Sequence, residues 1–109
     1  MHVLIINFHL ADMSEEGYRA GAAELAPAFA RVPGLLAKLW LHDDASGTYG
    51  GVYLFRDRQA VQDYLASELL AGVAASPNFV DITSRDFAIY EDLSRVTQPG
   101  LELLAEAVA

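Results

Sequence analysis

Residues 38–55, KLWLHDDASGTYGGVYLF, constrain the chain more than any other stretch. Two runs alternate at the period of a β-strand on either side of DDASG, whose Asp, Ser and Gly favour a turn. They read as a hairpin, with strands over about 36–42 and 49–55. Strand side chains alternate between faces. Lys38, Trp40 and His42 therefore share one face, opposite Leu39 and Leu41; Gly51, Tyr53 and Phe55 oppose Val52 and Leu54. A hairpin so rich in aromatic and polar groups walls a ligand cavity, a subunit seam, or both.

Around the hairpin the pattern is regular. VLIINFH at 3–9 has the length and β-branching of a first strand. Ser14 is a candidate N-cap, with Glu15 and Glu16 where the helix dipole favours acids. Tyr18, Ala22, Leu25, Phe29 and Val32 then form one apolar helical face, which Pro27 is expected to kink or split. Asp57 caps a second helix with a stripe of Val61, Tyr64, Leu65 and Leu69, closed by Gly72 and ASPN. A fourth strand follows over about Val80–Tyr90. The order is β-α-β-β-α-β, an α+β ferredoxin-like arrangement. One domain is read over 1–98. A helical tail over 99–109 carries Leu101, Leu104, Ala105 and Val108 on one side and is expected to dock on a second subunit.

With 109 residues, 53% of them hydrophobic, the chain can bury one core. Seven basic against fifteen acidic residues give a net charge of −8, which argues against nucleic acid as a partner. No apolar run is long enough to span a membrane, and MHVLIINFH lacks the basic region and cleavage site of a signal peptide. The absence of cysteine fits a cytoplasmic location and excludes disulfides and thiolate chemistry. His2, His9 and His42 have no metal-ligand spacing, and neither a phosphate loop nor GxGxxG occurs. No metal and no organic cofactor is expected.

Several stretches together carry a family resemblance: LAPAFARVPG at 25–34, PGLLAKLW at 33–40, GGVYLF at 50–55, then Asp57, Ala60, YL at 64–65, and DLSRVTQ at 92–98. With them the chain resembles the YdhR-type mono-oxygenases from its first strand to about Gln98. The resemblance implies a homodimeric α+β barrel with helices outside. It also implies a superfamily that includes cofactor-free mono-oxygenases of aromatic polyketides, haem-degrading enzymes, and isomerases or dehydratases. His42, the DDASGT turn and residues 71–80 depart from the family pattern and leave the substrate open.

Asn7 and His9 share a strand face with Val3 and Ile5. If the register joins the mixed faces, Asn7, Trp40, His42 and Tyr53 line one concave surface, with Tyr64 closing over it. Gly50 and Gly51 would let a flat ligand approach the sheet. The candidate catalytic residues are His42 as base, by its near-neutral titration, with Trp40 and Asn7. Tyr53, Phe55, Tyr64, Gly51 and His9 are the candidate substrate-binding positions. Each also has a packing explanation. Trp40 and Tyr53 suit a core or subunit interface equally, Tyr64 lies in a helical core stripe, and His42 and a snorkelling Lys38 suit a solvated rim. The expected reaction is cofactor-independent mono-oxygenation of a small aromatic or polyketide-like substrate. Isomerisation, cyclisation or dehydration in the same pocket, or ligand binding without turnover, are the alternatives.

Overall fold

The structure is a computed structural model; it describes residues 1–108, with side chains through Leu104. In chain order the elements are β1 (His2–Leu10), α1 (Glu15–Ala30), β2 (Leu35–Asp43), β3 (Thr48–Phe55), α2 (Arg58–Leu65), α3 (Glu68–Ala74), β4 (Phe79–Ala88), α4 (Glu91–Thr97) and α5 (Leu101–Val108). The strands form one antiparallel sheet in the order β2-β3-β1-β4. This is the ferredoxin-like topology, with the first and third strands central.

Local chemistry sets the helix boundaries. Ser14 begins α1 by accepting a hydrogen bond from the Gly17 N–H at 3.0 Å, and Asp57 begins α2 by accepting from Ala60 at 2.8 Å. Pro27 does not split α1, which runs unbroken to Ala30. The carbonyl that a proline leaves unpaired is that of Ala23, on an exposed residue where water serves it. The second helix is two helices rather than one. The Ser67 hydroxyl donates to the Tyr64 carbonyl at 2.6 Å while accepting from Leu70, so α3 restarts there on a new axis. Leu65 is 40% exposed and falls outside the expected stripe.

Antiparallel neighbours share a face. Leu4, Ile6 and Phe8 therefore project to the same side as Tyr53, Gly51 and Tyr49. With Phe29, Val61 and Tyr64 from the helices, these strand residues make the core. Burying each large side chain contributes on the order of 2 kcal/mol. The opposite face is more open among the described residues. It carries Val3, Ile5, Val52 and Leu54, together with Leu39 at 66% and Phe87 at 45% exposure. A solvated antiparallel face is ordinarily polar, so this one is unusual.

The chain end differs from expectation. A helix not foreseen, α4, follows β4, and Arg95 reaches Glu91 at 3.8 Å and Glu102 at 3.6 Å. The tail finds a surface within its own subunit, since α5 lies beside β2 and Leu101 is buried. The side chains of Ala105 and Val108, and Ala109 altogether, lie outside the described residues. Among the described residues, no helix is long and apolar enough to cross a membrane.

Candidate functional site

The β2–β3 register decides what the hairpin presents. Lys38 lies opposite Tyr53, Trp40 opposite Gly51 and His42 opposite Tyr49, all on the helix-facing side. Gly51 makes room there: a Cβ on it would lie 3.0 Å from Lys38 Cε and 3.1 Å from Tyr53 Cε1. Gly50 has a different task. A Cβ on it would stand 1.9 Å from the Ile6 carbonyl oxygen, so only glycine lets β3 approach β1 at this point.

Over the space at Gly51 the lysine enters an aromatic enclosure. Its Nζ stands 3.4 Å from the ring centre of Phe29, 3.5 Å from that of Trp40 and 4.6 Å from that of Tyr53. None of the ion pairs among the described residues involves it. Burial disfavours the ammonium and pushes the amine down to about 7. The ring faces act in the opposite sense, because they attract a cation. Burial thus draws the amine toward neutrality, while the surrounding rings favour its ammonium form.

Two spaces adjoin this group. An inner chamber of about 110 Å³ lies between the sheet, α1 and α3, with Phe29, Lys38, Trp40, Tyr53 and Tyr64 on its walls. An outer cleft of about 400 Å³ runs between α1 and the hairpin, past Glu15, Arg19, His42 and Tyr49. Tyr18 and Trp40 belong to both. An apolar cavity that takes one benzene measures about 150 Å³. The chamber is thus smaller than a benzene-sized cavity, and the cleft is larger.

The phenols on these walls are proton donors. Tyr64 donates its hydroxyl to that of Tyr53 at 3.0 Å, their rings 5.1 Å apart. Burial raises both phenols above their ordinary value and takes Tyr18 up to about 12. All three stay protonated at neutral pH. No carboxylate or histidine lines the chamber, so Lys38 is its one group able to accept a proton near pH 7.

The candidate residues divide four ways. Trp40, Tyr53, Tyr64 and Gly51 come together around Lys38. Phe55 is fully buried behind Tyr64, their ring centres 5.6 Å apart, and does not reach the chamber. Asn7 and His9 do not join the group. Asn7 pairs with Gly50 and Thr83 and faces the more open side, only half-buried, where its amide is within reach of water. His9 lies on that side too, exposed, 3.0 Å from Asp81 and 3.3 Å from the Thr48 hydroxyl. His42 stands at the mouth of the cleft with 68% of its side chain exposed, 3.4 Å from Asp44.

Lys38 corrects the expectation of a snorkelling rim residue, because its amine turns inward. Phe29 and Tyr18 were likewise not foreseen in the site. One signal pointed to Lys38. It is the chain's sole lysine, against six arginines, and it sits on an otherwise aromatic strand face. Among the described residues no group of three or more histidines and carboxylates is placed to hold a metal.

A ferredoxin-like antiparallel sheet with an aromatic-walled chamber beneath its first helix places the chain among small α+β domains. Within that class, the chain belongs to the family described as "Putative mono-oxygenase ydhR", which matches residues 3–99. Among solved structures it is similar to SnoaB, a cofactor-independent oxygenase from Streptomyces nogalater, with 20% identity, a TM-score of 0.64, and 83% of this chain and 94% of that one covered. The heme-degrader MhuD from Mycobacterium tuberculosis gives 18% identity and a TM-score of 0.66 over 83% and 96% of the two chains. An antibiotic biosynthesis monooxygenase gives 17% and 0.66 over 82% and 98%. At such identities the likeness is one of fold. Among curated proteins there is no significant match.

Proposed function

We propose that the chain is a mono-oxygenase that uses no metal or organic cofactor and oxidises a small phenol, enol or polyketide-like aromatic entering from the outer cleft. The observation that carries this reading is Lys38, outside every ion pair among the described residues and enclosed by Phe29, Trp40 and Tyr53 at the inner chamber. Family membership and the printed activity of SnoaB support it. A cysteine-free chain suits the cytoplasm in which such an enzyme would work.

In this mechanism neutral Lys38 removes the acidic proton of the substrate, and its ammonium then faces the anion in a poorly solvated site. The electron-rich anion passes an electron to O₂, and the resulting pair joins at carbon to give a peroxide. The ammonium returns its proton to the peroxide oxygen. Loss of water then leaves a carbonyl where the carbon bore hydrogen. One oxygen atom stays in the product and the other leaves in water, so no external reductant is needed. Tyr53 and Tyr64 hold the substrate oxygens as donors, and Trp40 orients the ring. His42, at the mouth, screens the entry rather than acting as base.

A second copy of the chain is the proposed cover for the more open sheet face, where Leu39 and Phe87 are exposed. Oxygen consumption with anthrone and simple naphthols, followed alongside product mass, tests the reading. Uptake with one labelled oxygen atom in the product is the expected result. Product formed without uptake would instead indicate isomerisation, cyclisation or dehydration, and stabilisation by ligand without turnover would indicate a binding protein.

A further inference from the structure

We propose that Lys38 also captures carbonyl compounds covalently, condensing with an aldehyde or 1,3-diketone presented from the outer cleft to give an imine and water. The chain has one other amine, the Met1 α-amino group, and that is held 3.0 Å from Glu91 in an ion pair. Lys38 has no such partner. Its stem crosses the space left by Gly51, and it forms part of the wall of a chamber of about 110 Å³, room for a small group rather than a ring. A carbonyl is the size of group that fits there, with an attached ring left against Trp40 and Tyr18 in the cleft.

The steps balance without a co-reactant. The amine lone pair adds to the carbonyl carbon, whose oxygen takes a proton and becomes the hydroxyl of a carbinolamine. The nitrogen lone pair then forms the C=N bond as that hydroxyl leaves with a second proton as water. Tyr53 suits the donor role: it lines the chamber, its ring centre lies 4.6 Å from the Lys38 amine, and burial keeps it protonated. A protonated imine is a flat cation, so the ring faces of Phe29 and Trp40 that hold the ammonium also hold this product. With the amine brought down to about 7, much of it is neutral and nucleophilic at pH 7.5.

The test uses the full chain with 4-hydroxybenzaldehyde and sodium cyanoborohydride at pH 7.5, read by intact mass and peptide mapping. The expected result is one hydroxybenzyl group, on Lys38 in preference to Met1, whose α-amino group is held in the ion pair with Glu91. Its rate should climb through pH 7, and Lys38→Arg, which keeps the cation, should leave only the Met1 adduct. Peptide mapping of the wild type decides the matter even if the variant folds poorly. Adduct on Met1 alone, no adduct, or a Lys38 rate climbing only in the ordinary lysine range overturns the capture. Oxygen uptake distinguishes this from the oxygenase reading. Uptake without adduct removes only the capture, whereas adduct without uptake on any phenol removes only the oxygenase.

Discussion

On its helix-facing side the sheet sends Leu4, Ile6 and Phe8 into a closed core, yet admits Lys38 among them; on its other side Leu39 stands 66% exposed. Judged by hydropathy, β2 is the wrong way round. Its orientation is imposed by β3, where Tyr53 and Phe55 must be buried and carry Lys38 and Trp40 inward with them. The comparison separates two kinds of cost. The inward lysine gives up hydration and gains a reactive amine, a stability loss of the sort found at functional sites. The outward leucine gives up nothing in the folded monomer and becomes useful only when another surface covers it.

Four substitutions would break or sharpen this contrast. Gly50→Ala should have the largest effect, because its methyl would meet the Ile6 carbonyl oxygen and force β1 and β3 apart. A loss above about 4 kcal/mol, or failure to fold, is expected in urea denaturation. A midpoint like that of the wild type would refute the close β1–β3 approach. Lys38→Met should lower oxygen-dependent turnover on the order of a hundredfold, the usual contribution of a general base.

The same variant should be more stable than the wild type, with a definite pH dependence. Folded Lys38 loses its proton near pH 7, whereas in the unfolded chain it does so near 10.5. Between these values the unfolded chain binds the extra proton, so this group makes wild-type stability rise with pH. The advantage of Lys38→Met is therefore greatest below pH 7 and shrinks toward pH 10. An advantage independent of pH would mean that the amine is solvated.

On the more open face, Leu39→Glu should weaken self-association by at least about tenfold in sedimentation while moving monomer stability by no more than about 0.5 kcal/mol. Unchanged association would assign that face to some other cover. The smallest effect is expected at His42→Ala, within about twofold in turnover, because the side chain is solvated. A large loss there would restore His42 as the base and demote Lys38.

What was legible in the sequence was local. Ser14 and Asp57 announced their helices because a cap needs only its own next three residues. Element order followed from period and turn chemistry. Ser67 was overlooked as a cap, since the apolar stripe on either side of it suggested continuity. Asn7 was assigned to the wrong company for another reason: each strand's two faces can be listed from sequence, but pairing decides which lists meet. Tyr53 meets Leu4 and Lys38, whereas Asn7 meets Gly50 and Thr83. Lys38 was misjudged because a long side chain on a strand can turn either way, and only the space at Gly51 and the position of Phe29 on α1 settle which.

The treatment of the sheet's two margins has a consequence for how this chain behaves in a crowd of its own kind. A free strand edge invites another molecule to add a strand, the first step toward fibrous aggregation. Here α5 lies beside β2 at one margin. At the other, β4 shifts register against β1 near Asp81, whose backbone is left-handed at φ 55°, and carries Arg85 and Asp86 beyond it. Irregularity and charge make that margin a poor template. Growth by strand addition is thus discouraged from both sides, so any partner of this sheet meets a face rather than an edge.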